Sequence, residues 1–191
     1  MSIRRDIKSR RVLAIVAHAD DLELMAGGTV AKMIKKGFEV YQIITANGEK
    51  GSFSVNKEVL IRRRREEARA SAEFLGLKDI FLVHYPDGEL SHFPRNDLGE
   101  KFVKISRQTK PDILLTWDPF ARFEVHPDHR IVGMVATEAA TFSHYPLYYS
   151  EHLQQGLEPH YVAEYLFIAK HNRDANKFVD IRIISRLHPW Q

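Results

Sequence analysis

Cysteine is absent from all 191 residues, which excludes disulfides, thiolate nucleophiles and cysteine-ligated zinc. Any metal must then be held by His, Asp or Glu, and the chain suits a reducing compartment. Long apolar runs are missing too: no stretch approaches the roughly 20 residues that cross a bilayer. So are nucleotide loops. Gly27-Gly28 lacks the G-x-G-x-x-G spacing, an acidic pair sits where a pyrophosphate would dock, and no Gly-Lys-Ser/Thr occurs. Charge of one sign is scarce. The 28 Lys and Arg exceed the 25 Asp and Glu by only +3, with ten histidines neutral. That excess is too small to argue for a nucleic acid partner. The run Arg62 to Arg65 reads as a solvated helix face balanced by Glu66 and Glu67.

What is present fits one soluble globular domain over residues 1–191, 44% hydrophobic and 28% charged. Basic residues Arg4 to Arg11, then Val12 to Val16 and Ala17-His18-Ala19, imitate a secretion signal. The apolar core is short for one and Asp20-Asp21 follow at once, so a buried first strand at residues 12–17 is the better reading. A cytoplasmic location is expected.

Gly27-Gly28 are read as opening a helix from Thr29 to Lys36, with Val30, Met33 and Ile34 on one face, ended by Gly37. Glu39 to Thr45 forms the second strand. The β–α–β order argues for a parallel sheet with helices on both sides. After a polar loop, Ala46 to Asn56, a helix is predicted over 57–75 with Gly76 as its cap. Strands follow at Ile80 to Val83, Asp112 to Thr116 and Tyr165 to Ala169, and helices around 98–108 and 130–142. Ligands of such sheets gather beyond the carboxyl ends of the strands. His18 to Asp21, Asp87, and Asp118 to His129 all fall on that edge.

Two segments carry the chemistry: His18-Ala19-Asp20-Asp21 and His126-Pro127-Asp128-His129. If they meet, they supply His, Asp and His for one metal and leave a carboxylate and an imidazole for acid–base work. Catalytic zinc takes three protein ligands and keeps a position open for water. Adjacent aspartates must diverge, so one can bind metal while the other addresses the water. Crowded carboxylates without a cation would push one another's pKa values up. Either segment alone could be a capped loop or a surface turn, since Asp and Pro are common in turns. Both together at strand ends favour a hydrolase.

These residues resemble the LmbE-like, or PIG-L-type, zinc-dependent N-acetylglucosaminyl deacetylases. The family's first motif, (P/A)-H-P-D-D-x-E/x-E-x-x-x-G-G-T, stands here as Ala17 to Thr29, with Ala19 for the usual Pro and the acid at Glu23 rather than position 22. The second, H-P-D-H, is intact at His126 to His129. Gly48-Glu49-Lys50-Gly51, Arg64-x-x-Glu67, Pro86-Asp87-Gly88 and Lys110-Pro111-Asp112-Ile113 are further echoes, and the likeness covers residues 11 to 135.

The resemblance implies a Rossmann-like three-layer α/β/α fold with a mostly parallel sheet. It implies one Zn2+ per chain, or another divalent metal, on His18, Asp21 and His129. Asp20 would be the general base toward a metal-activated water and then the acid toward the leaving amine. His126 would be the oxyanion stabiliser, with Asp128 orienting that ring and raising its pKa. Arg64 and Asp87 would contact sugar hydroxyls. Relatives run past a Val-Asp-Ile segment, here Val179 to Ile181, into a further helix, so a C-terminal part short for the family is expected. The substrate implied is a small N-acetylated amino sugar, with no nucleic acid and no membrane span. A homo-oligomer is left open. The alternatives are hydrolysis of another amide or a phosphoester, and a non-catalytic sugar- or metal-binding module. Asp118 is placed near the metal ligands. His84, His92, His144, His152, His160, His171 and His188 lack ligand spacing. Phe142 to Tyr149 reads as a packed segment, with a sugar-facing wall as its alternative.

Overall fold

Alternation along the first strand sets the layers. In β1 (Arg11–Val16) and the residue after it, Leu13, Ile15 and Ala17 enter one buried cluster while Val12, Ala14 and Val16 enter another on the opposite face. A strand covered on both sides needs this continuous apolar run. The protein, described from a computed structural model over residues 10–168 and 175–182, is a five-stranded parallel sheet between two helical layers. The strand order is β3-β2-β1-β4-β5, with β2 at Glu39–Ala46, β3 at Asp79–Tyr85, β4 at Ile113–Trp117 and β5 at Glu164–Ile168. Val12 lies opposite Val40 of β2 and Ile113 of β4, which fixes the register at the centre.

Helices α1 (Asp21–Lys35) and α2 (Lys57–Leu75) cover one face through Leu22, Val30 and Ala68. Helices α3 (Arg95–Thr109) and α4 (Pro127–Phe142) cover the other through Phe102, Val103, Val132 and Val135. The chain leaves β1 toward β2 and β3 on one side, then crosses to β4 on the other. The order reverses between β1 and β4, and the crevice that opens at such a switch point is where α/β sheets bind ligands.

The α/β three-layer expectation holds, and α2 spans 57–75 as read. The start of α1 does not. It begins at Asp21 rather than Thr29, with Gly27 and Gly28 inside it. Asp20 occupies the N-cap, and Asp21 and Glu23 place negative charge at the positive end of the helix dipole. Gly28 has a packing reason instead: a Cβ there would lie 2.7 Å from Ile181 Cδ1, so the Val179 to Ile181 segment crosses α1 at this residue. The short helix α5 (Glu151–Gln154) and a 3-10 turn at Leu90–His92 were not foreseen. Ala169, His171 and His188 lie outside the described residues.

Phe142 to Tyr149 is a packed segment. Fully buried Arg107 on α3 donates to the carbonyls of Ser143, Tyr145, Tyr148 and Tyr149 and faces His152 Nδ1 at 3.2 Å. His152 Nε2 in turn meets Glu100 at 2.8 Å, and His160 Nε2 meets the Pro111 carbonyl. Because α4 runs about 1.5 Å per residue, Phe142 stands about 24 Å from the His126 end. The aromatic segment is therefore at the far end of that helix and builds no wall of the cleft.

Gly133 brings α4 against the exit of β4. A Cβ there would stand 2.5 Å from the Trp117 carbonyl oxygen, a backbone atom with no room to move. Gly133→Ala is expected to lower unfolding free energy by about 1–3 kcal/mol, read as a reduced denaturant midpoint at unchanged slope.

Candidate active site

Two tight loops face each other across the switch point, and each is organised by its own helix start. In the first, Asp21 turns inward and its Oδ2 accepts three hydrogen bonds, from the amides of Ala17 and His18 and from Trp117 Nε1, at 2.9–3.0 Å. Its Oδ1 is left pointing at the two imidazoles. Asp20, one residue earlier, is exposed at the cleft and makes no capping bond. The two carboxylates diverge as adjacency requires.

In the second loop the four residues of H-P-D-H are the N-cap and the first turn of α4. His126 caps, its Nδ1 accepting from the Asp128 amide at 3.2 Å, and Pro127 takes the first helical position where no amide is needed. That bond leaves the proton of the neutral His126 ring on Nε2. His129, one turn in, stacks on Trp117 with ring centroids 3.9 Å apart.

His18 joins the loops. Its Nδ1 lies 3.3 Å from His129 Nε2 and 3.7 Å from Asp21 Oδ1, and His129 Nε2 lies 3.3 Å from the same Asp21 oxygen. Four ligands at about 2.0–2.1 Å around a tetrahedral zinc stand roughly 3.3–3.4 Å from one another. This triangle has the size of one face of that tetrahedron. On its other side, His18 Nε2 meets Asp87 Oδ1 at 3.1 Å and Asp128 Oδ2 at 3.6 Å.

Two further groups gather donor atoms within 4.8 Å: His18, His126 and His129, and His18, Asp87 and Asp128. The acidic group is the poorer cation cage. Asp128 already accepts from the amides of Gly88 and Leu90 with its two oxygens, and Asp87 Oδ2 accepts from Lys50. Their geometry suits holding an imidazole N–H, the partner a metal-bound histidine commonly has.

Charge balance points the same way. Burial opposes a cation on His18, yet hydrogen bonds with Asp128, Asp21 and Asp87 outweigh it and push its pKa up to about 11. Burial would raise Asp21, but hydrogen bonds with His129 and His18 hold its carboxyl far below the usual range. His126 is lowered, by burial first and then by the charges of His18 and His129. The Asp128 amide donates to His126 Nδ1 and its charge acts to raise that ring, against burial and the His18 and His129 charges that lower it, while its carboxylate also faces His18.

All eight site residues read from the sequence meet at this edge. A cleft of about 280 Å³ is lined by His18, Asp20, Arg64, Asp87, His126 and His129, among others. Asp118 does not join them: its Oδ1 accepts from the Phe120 amide and closes a turn. Two contributors escaped the sequence reading. Trp117 braces both Asp21 and His129. Glu124, its side chain almost fully buried, accepts from the His126 amide at 3.0 Å and sets the same oxygen 3.3 Å from His129 Nδ1. An acid two residues before H-P-D-H was the available signal.

The profile of the family described as PIG-L, GlcNAc-PI de-N-acetylase, matches residues 13–140. The chain belongs to the PIG-L family. It is 34% identical over 174 residues to a diacetylchitobiose deacetylase of Thermococcus kodakarensis, covering 90% of this chain and 64% of that one. A probable N-acetyl-alpha-D-glucosaminyl L-malate deacetylase of Bacillus cereus is 26% identical, covering 69% of this chain and 61% of the relative. The chain thus spans under two thirds of the length of these PIG-L relatives. Among solved structures, N,N'-diacetylchitobiose deacetylase from Pyrococcus horikoshii superposes with a TM-score of 0.85 at 32% identity, covering 94% of this chain and 67% of that one. The 4-carboxy-2-hydroxymuconate hydratase GalB from Pseudomonas putida, at 21% identity and a TM-score of 0.75, covering 92% of this chain and 74% of that one, shares the fold.

Glu124→Gln keeps the shape and removes the negative charge beside His129. Any divalent metal taken up at the triangle of His18, Asp21 and His129 is expected to bind about 10–100-fold more weakly in this variant, read by competition with a chelating dye at unchanged far-UV circular dichroism.

Proposed function

We propose that this PIG-L family member is an N-deacetylase that hydrolyses the acetamido group of an N-acetylglucosamine-type substrate, using a zinc ion held by His18, Asp21 and His129. The observation that carries this reading is the 3.3, 3.3 and 3.7 Å triangle of His18 Nδ1, Asp21 Oδ1 and His129 Nε2. Asp21 and His18 have their remaining polar atoms engaged by protein groups, so one lone pair of each is aimed at a common point. The names of the relatives, diacetylchitobiose deacetylase among them, agree with the substrate class.

A zinc ion at that point supplies Lewis acidity, polarising the amide carbonyl and lowering the pKa of water toward about 7. The chain's own groups do the rest. Asp20, exposed at the cleft and free of capping duty, takes the proton as a water oxygen adds to the acetamide carbon. His126 presents Nε2–H to the carbonyl oxygen as charge builds on it. Asp20 then gives its proton to the amide nitrogen, the C–N bond breaks, and acetate and the free amine leave. Asp128 and Asp87 hold His18 through Nε2, so the far nitrogen of that ring keeps its lone pair aimed at the ion. Arg64 lines the same cleft, where its guanidinium can donate to sugar hydroxyls.

Two measurements test this. Asp20→Asn is expected to keep one divalent metal per chain by elemental analysis while acetate release falls about 10²–10⁴-fold; full activity in that variant would remove Asp20 from its role. Chelation should abolish acetate release and lower the melting temperature, and added zinc should restore both. Indifference of both to chelation would count against a metal site.

A further inference from the structure

The loop that leaves β2 gives the cleft wall two glycines, Gly48 and Gly51. Between them Glu49 does not line the cleft, and its side chain is only 1% exposed. A buried carboxylate costs a fold stability unless charge and hydrogen bonds offset the water it gives up. Two contacts hold this one. Its Oε1 lies 3.6 Å from Nζ of Lys57, the first residue of α2, but that lysine is more than half exposed, where an ion pair is weak. Its Oε2 accepts from the backbone amide of Asp87 at 3.2 Å. The firmer attachment is therefore to a residue of the site.

The next residue acts on the same target. The Lys50 amide donates to Asp87 Oδ2 at 3.3 Å. Asp87 is thus gripped at its amide and at one carboxylate oxygen, which leaves Oδ1 for His18 Nε2 at 3.1 Å. The turn that carries Asp87 needs such outside support. Pro86 has no amide to donate, and Gly88 sits in the left-handed region at φ +72°. Asp128 holds one side of the turn through the amides of Gly88 and Leu90. Glu49 holds the other. Without that acceptor the Asp87 carboxylate is free to shift, and the brace on the His18 ring shifts with it.

We propose that Glu49 is a positioning residue of the metal centre, acting through Asp87 on the orientation of the His18 ring. The assignment rests on the metal site proposed above. It is tested with wild type, Glu49→Met, Glu49→Gln, Asp87→Ala and the double variant Glu49→Met/Asp87→Ala. Zinc affinity is measured by competition with a chelating dye. The visible spectrum of the cobalt-loaded proteins reads the ligand field, and thermal melts of the metal-free proteins read the fold. Methionine fills the space of Glu49 without its charge, glutamine keeps an oxygen for the Asp87 amide, and Asp87→Ala removes the carboxylate but keeps that amide.

Glu49→Met should weaken zinc binding about tenfold and shift the cobalt bands, with the fold intact in the metal-free melt. Glu49→Gln should restore both affinity and spectrum. In the Asp87→Ala background, adding Glu49→Met should weaken zinc by less than about twofold more, because the carboxylate through which Glu49 acts is already gone. Should Glu49→Met melt below the assay temperature, Glu49→Ala takes its place in every comparison. Unchanged affinity and spectrum in Glu49→Met would overturn the assignment and leave the metal site standing. So would a loss in Glu49→Gln equal to that in Glu49→Met, or losses that multiply in the double variant. If wild type took up neither zinc nor cobalt, the metal site itself would fail and the role of Glu49 with it.

Discussion

Carboxylates shielded from water repel one another, and this sheet gathers three of them, Asp21, Asp87 and Asp128, around the single imidazole of His18. Such a group is stable only with positive charge at its centre. Much of the surrounding architecture follows from that demand. The β1 and β4 loops must close on each other, the Gly88 and Leu90 amides must turn toward Asp128, and the Asp21 carboxylate must be pinned by Ala17, His18 and Trp117. Without a metal the proton on His18 meets the demand. With one, the same carboxylates pass from balancing a proton to steering a ligand.

The fold alone would not identify the chemistry. GalB, a hydratase, shares it at 21% identity, and a doubly wound sheet hosts many reactions at its switch point. The side chains, and not the fold, point to amide hydrolysis. An exposed Asp20 beside an inward Asp21, and a His126 whose capping bond leaves Nε2–H toward the cleft, are the groups a hydrolase needs at the nitrogen and the oxygen of the scissile amide.

Much of this was legible in the sequence because both ligand-bearing segments are short and contiguous. His18 to Asp21 and His126 to His129 each close within one loop and the first turn of a helix, so linear spacing fixes their geometry. The buried run at residues 12–16 announced a strand covered on both faces. The start of α1 was misread because Gly27-Gly28 looks like a helix boundary, when Gly28 is instead the place where Ile181 crosses. Trp117 was missed because its bond to Asp21 is made across the switch point, whereas Glu124 acts within its own loop, on His126 and His129, and its place two residues before H-P-D-H went unread. The aromatic run after α4 drew attention from the wrong end of that helix. Its fate was decided by one buried arginine on another element, which no periodicity reveals.

The cap of α4 has a consequence for how variation at this edge can be tolerated. His126 serves the backbone and the cleft with opposite nitrogens of one ring. A replacement that preserves only the cap, such as a short hydroxyl or carboxamide, would keep the helix and lose the donor toward the cleft. One that preserves only a donor toward the cleft would fray the helix that carries His129. Selection acting on either trait therefore holds this position for both, and the fold and the chemistry here are inherited as one character.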